Sequence, residues 1–131
     1  MIDEQALADW LTALPTALSV KFNPGPRKIE FVRADTAGLV SMLPGAGLAP
    51  DGLFDQPSFQ VEIVGRERDR TGLRQSMELV DQTLIGLDSP GALWGTWVNW
   101  VGRTGSGPAQ GQEDEQDRIS WACSYLAVIP L

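Results

Sequence analysis

Two clusters of charge and one of tryptophan hold the residue types from which a site could be built. Glu113, Asp114, Glu115 and Asp117 put four carboxylates into five positions. A calcium loop needs alternating ligands around a central glycine with a distal Glu, and that spacing is absent. The run reads as a solvated acidic face. Residues 65–70, GRERDR, alternate Arg66, Arg68 and Arg70 with Glu67 and Asp69. These charges nearly cancel, so no cationic patch results, whereas the planar guanidinium fork suits carboxylates on a neighbouring subunit. Trp94, Trp97, Trp100 and Trp121 offer flat rings without the interleaved Arg and Lys of a nucleic-acid stacking platform. Core or subunit interface is the better reading of them.

The chain has no histidine, which removes His-based triads, most zinc sites and the commonest general base. Its glycine-rich stretches lack the G-x-x-x-x-G-K-[ST] pattern and do not lead from a strand into a helix. No carboxylate pair stands out for acid–base work. The expectation is a protein that is not an enzyme and uses no cofactor or metal. A net charge of −7 and a pI near 4.4 argue against sequence-independent DNA binding, which needs clustered cations to displace phosphate counterions. The single cysteine, Cys123, lies in an apolar alternating run and reads as a small buried residue. No apolar run approaches the ~18 residues of a membrane helix, and the start carries acids where a secretory signal carries Lys or Arg. A cytoplasmic site of synthesis, with no membrane partner, is the expectation.

The elements that must position these residues follow from periodicity. Residues 3–14 place Leu7, Trp10, Leu11 and Leu14 at helical spacing, with Asp3 as cap and Pro15 as stop. Leu18, Val20 and Phe22 alternate, as do Ile29 and Phe31 against Lys28, Glu30 and Arg33, which predicts two strands. Residues 36–57 form a Gly/Pro-rich run expected to be a long loop. Phe59, Val61 and Ile63 alternate cleanly with Gln60 and Glu62. Leu73, Met77, Val80, Leu84 and Leu87 form one helical stripe, with Arg74, Glu78 and Asp81 opposite. Residues 93–102 read as one strand with large apolar residues on both faces, 103–117 as a flexible acidic hairpin tip, and 118–130 as the closing strand. The predicted order is α-β-β-loop-β-α-β-β. One α+β domain spans residues 1–131, a mostly antiparallel sheet with two amphipathic helices packed on it.

The stretch QPSFQVEIVGRERD, followed by a helix to LIGLDS, resembles the bacteriophage minor capsid and tail-terminator family. Its members show a Pro, an alternating strand, an Arg-Gly or Gly-Arg turn, then a helix ending near a Leu. The likeness is strongest over residues 57–88; elsewhere only order and length agree. It implies a small α+β subunit that forms a ring, usually hexameric, on the end of the tail tube of a long-tailed phage. Such a ring stops tube polymerisation and presents the surface to which the head docks. The implied partners are other copies of the chain, the tail tube protein and a head-completion or connector protein. DNA is then passing cargo, and the place is the virion, assembled in the host cytoplasm. In that reading Arg66, Arg68, Arg70, Trp94, Trp97 and Trp100 are candidate subunit-interface residues. Glu113, Asp114, Glu115 and Asp117 form a candidate channel-facing loop. The alternatives are another head–tail connector protein or a regulatory domain binding a small molecule or peptide on its Trp-lined sheet.

Overall fold

The computed structural model describes residues 2–25, 36–43, 47–48, 54–105, 107–111 and 118–130. The predicted strand at 28–35 and the acidic residues Glu113, Asp114, Glu115 and Asp117 lie outside these. Two α-helices and ten strands are described, α1 at Glu4–Thr12, α2 at Arg70–Ile85 after a 3₁₀ turn at Glu67–Asp69, and β1 to β10 between and after them.

The sheet is organised by its last strand. β10 (Arg118–Pro130) runs antiparallel to β5 (Ser58–Arg66), with Cys123 opposite Val61 and Tyr125 opposite Phe59. On its other side it pairs with β8 (Trp100–Arg103), Val101 opposite Ala127, and with β9 (Ala109–Gln110). β2 (Thr36–Met42) is antiparallel to β5, and β1 (Phe22–Pro24) runs parallel to β2. β4 (Phe54–Gln56) meets the end of β10 and carries β3 (Gly47–Leu48). Pro57 separates β4 from β5, and its carbonyl accepts from Ala127 N–H at 2.9 Å. The result is the expected α+β class with a mostly antiparallel sheet.

Because strand side chains alternate, Phe59, Val61 and Ile63 share one face with Cys123 and Tyr125, and all five are buried. The helices cover that face. Leu7, Ala8 and Leu11 of α1 and Leu73, Met77, Val80 and Leu84 of α2 enter the same core. Asp3 caps α1 as expected, accepting from Gln5 N–H at 3.0 Å and Ala6 N–H at 3.2 Å. Gly86 ends α2. Asp69 occupies the N-cap of α2 without a side-chain cap bond.

Three expectations need correction. The loop expected over 36–57 contains β2, an interior strand of the sheet. Its residues Ala37 and Leu39 are buried on one face and Val40 on the other, so it lacks the alternation that betrays a half-exposed strand. Gly38 is needed there, because a Cβ would sit 2.5 Å from the Phe22 ring. Of the strand expected within 17–26, only Phe22–Pro24 pairs; Ser19 breaks the alternation of Leu18, Val20 and Phe22 with φ 50°. The single strand expected at 93–102 is three pieces. β6 (Gly91–Leu93) and β7 (Thr96–Val98) form a hairpin around Trp94 and Gly95, and β8 follows. Trp94 (φ 55°) and Gly95 (φ 79°) both take positive φ, the signature of the tight turn that matches strand twist. Trp94 tolerates this because its ring is held in the core, 5.5 Å from Trp10 and 5.8 Å from Phe59 in edge-on contact, and its carbonyl accepts from Asp3 N–H. Within the expected hairpin tip, Ala109–Gln110 pair with β10 as β9.

Candidate functional site: a buried carboxylate lock and an exposed tryptophan edge

α2 turns one carboxylate inward. Met77, Asp81 and Leu84 follow the i, i+4, i+7 spacing of the apolar stripe, and Asp81 is buried with its neighbours at 3% exposure. Asp81 was assigned above to the polar face with Arg74 and Glu78, and this assignment is corrected. Its carboxylate accepts from Arg103 Nε at 2.9 Å, from Arg103 Nη2, and from the Tyr125 hydroxyl at 2.9 Å. The Cys123 thiol lies 4.0 Å away. Arg103 and Tyr125 are directly opposite each other in the β8–β10 ladder, so one carboxylate ties α2 to two strands.

Burial pushes the Asp81 carboxyl up, but the hydrogen bonds from Arg103 and Tyr125 and the Arg103 charge outweigh it and leave Asp81 below its ordinary value. The Asp81 hydrogen bond and charge raise the Arg103 guanidinium further above neutrality. Burial likewise raises the Cys123 thiol and, more strongly, the Tyr125 phenol. At neutral pH the cluster therefore holds an ionised, saturated carboxylate, a protonated thiol and a protonated phenol. Those states suit a lock between elements better than nucleophilic attack or proton abstraction.

Beside the lock, a groove of about 590 Å³ is lined by Arg74, Glu78, Gln82, Ile85, Pro108 and Trp121. The Trp121 indole N–H is buried and has no hydrogen-bond partner among the described residues. Among the described residues no group of three or more His, Cys, Asp or Glu is placed to hold a metal ion. No helix among them is long and apolar enough to cross a membrane.

The sequence-derived site residues separate. Trp94 is a core residue at 4% exposure, so it is withdrawn as an interface residue. Trp97 and Trp100 stay outside at 50% and 53%. The Trp97 indole N–H donates to Asn99 Oδ1 at 3.0 Å, and the Trp100 ring lies against Gly102, whose missing side chain makes room for it. Arg70 pairs with Glu67 at 2.9 Å and Arg68 with Asp69 at 3.8 Å. At least these two arginines thus meet acids of their own turn, in exposed pairs that contribute little to stability. The Asp81 lock had one legible trace, the helical spacing from Met77 to Leu84. Nothing local points to its partners, which lie 22 and 44 residues away.

No protein-family model and no curated protein matches the chain. Solved structures do. A chain from the virion of a native gene transfer agent particle shares the fold with a TM-score of 0.64 at 15% identity. That match covers 99% of this chain and 96% of the other. A second solved chain matches with a TM-score of 0.50 at 18% identity, covering 95% and 89%. Identities this low show a common fold.

Proposed function

We propose that the chain is a structural protein of a phage-like virion, and within it a tail terminator. One observation carries the reading: end-to-end likeness of fold to a chain of a gene transfer agent virion. The exposed Trp97 and Trp100 support it, since large aromatics left in solvent mark interaction surfaces. In this role copies close into a ring, usually of six, on the end of the tail tube. The ring stops tube growth and presents the docking surface for a head-completion or connector protein. A closed ring needs two different patches per subunit, one binding the other next door. Arg66, Arg68 and Arg70 belong to such a patch, with their charge shared between acids of their own turn and of a neighbour. Glu113, Asp114, Glu115 and Asp117 face the channel, where negative charge keeps passing DNA from adhering. The protein works in the virion, is no enzyme and needs no cofactor.

The test is size and capping. Light scattering on the purified chain should give a closed oligomer near six subunits, and its addition to growing tail tubes should halt elongation. A persistent monomer that leaves tube growth unchanged refutes the reading. A ring with residues 113–117 on its outer wall refutes the channel assignment alone.

A further inference from the structure

Among the described residues the exposed large apolar side chains are Ile85, Trp97 and Trp100, and they fall on two separate surfaces. Val101 and Arg103 pair with Ala127 and Tyr125 and share the helix side of the sheet. By alternation Trp100 and Gly102 face the other way. The Trp100 ring rests over Gly102, where any Cβ would collide with it, so the ring is held in place before a partner arrives. Residues 89–102 contain no Asp, Glu, Lys or Arg, on a chain of net charge −7. Exposed aromatics in a stretch without charge have the composition of an interface core.

Ile85 stands in the helix layer, at the C-terminal end of α2, on the groove of about 590 Å³. Pro108 and Trp121 extend its apolar wall. Arg74 and Arg103 line it together with Glu78 and Asp81, so its charges cancel. Arg103 is pinned there, because Asp81 accepts from both its Nε and its Nη2. A guanidinium fixed beside apolar walls favours an aromatic ring, which gains a cation–π contact as well as burial.

We propose that the α2 groove, walled by Ile85, Pro108 and Trp121, takes Trp97 and Trp100 of a second copy of this chain. This rests on the reading that copies of the chain assemble. The groove selects an aromatic occupant, and the exposed aromatics among the described residues are these two tryptophans. Trp100 lies on the opposite side of the sheet from its own groove, so the groove it fills belongs to another copy. One patch is uncharged and the other balanced, so two acidic copies meet there without juxtaposing like charges. Both sides are set in advance, Trp100 by Gly102 and Arg103 by Asp81, which cuts the ordering cost of association. Ring pair and groove are different patches, so each copy gives one and takes another, and the contact propagates from copy to copy.

Patch complementation tests this. Trp97→Ser with Trp100→Ser removes the rings, and Ile85→Glu puts a charge on the groove wall. Each variant alone should be a 14.2 kDa monomer where the wild type is a larger oligomer. An equimolar mixture should stop at twice the monomer mass, because one intact ring pair meets one intact groove and nothing can be added. A mixture that stays monomeric overturns the proposal, as does either variant assembling like the wild type, or a monomeric wild type. Circular dichroism checks folding of each variant, and Trp100→Ser alone and Ile85→Lys replace any that fails to fold. Capping of tail tubes is scored separately. A tryptophan variant that still assembles but no longer caps places the rings on the tail tube and overturns the groove contact. Capping with both variants still assembling refutes that contact and leaves the terminator reading standing. Complementation without capping does the reverse.

Discussion

Asp81→Asn isolates the electrostatics of the buried lock. The substitution keeps the shape of the side chain and one carbonyl oxygen, so Tyr125 keeps an acceptor. Arg103 keeps Oδ1 as the acceptor of its Nε but loses the negative charge and the Oδ2 acceptor of its Nη2, which then faces an amide NH2. Hydrogen bonds to charged groups contribute about 1.5–3 kcal/mol net. Arg103 is about one third exposed, so its guanidinium partly rehydrates when released. The expected loss is therefore about 2 kcal/mol at pH 7, on the order of 7 °C in melting temperature for a domain of this size. The pH dependence has a definite sign. The folded-state pKa of Asp81 is lowered, so its stabilisation is complete above the unfolded value of about 3.9 and is lost as pH falls through the folded value. Urea unfolding of both proteins from pH 7 to pH 2.5 measures it. The gap between wild type and variant should be full at pH 7 and 5 and narrow below about pH 4. A gap under about 0.5 kcal/mol at pH 7, within the range of ordinary surface substitutions, refutes the lock. A gap that stays constant down to pH 2.5 refutes the charge as its origin.

Three further outcomes are expected. Met77→Ala empties a fully buried position between α2 and the sheet and should cost about 2–5 kcal/mol in chemical denaturation. Gly95→Ala puts a Cβ at φ 79° and 3.2 Å from Asp3 Cβ; a loss of about 1–2 kcal/mol is expected, and a neutral change would show that the Trp94–Gly95 turn is adaptable. The double variant Arg66→Glu, Arg68→Glu should keep the wild-type melting temperature within a few degrees while lowering the assembled fraction in light scattering; unchanged assembly removes these arginines from the interface.

Local pattern alone determined a good deal of this protein. The stripe Leu73, Met77, Val80, Leu84 and the alternation of Phe59, Val61 and Ile63 place α2 and β5 within a few residues of their observed bounds, and Asp3 caps α1 as its position suggests. Amphipathic elements are legible because one face meets water and the other meets the core, which writes a period into the chain. Elements buried on both sides carry no such period, and β2 was hidden in an expected loop for that reason. Tertiary structure alone decided the fate of the tryptophans and of Asp81. Trp94 enters the core through a positive-φ turn while Trp97 and Trp100, of the same type and three residues apart, remain in solvent. Asp81 becomes a lock only because the fold brings Arg103 and Tyr125 to it from far along the chain. A buried charge is tolerable where its partners are already in place, and sequence spacing does not encode partners that meet only after the sheet has formed.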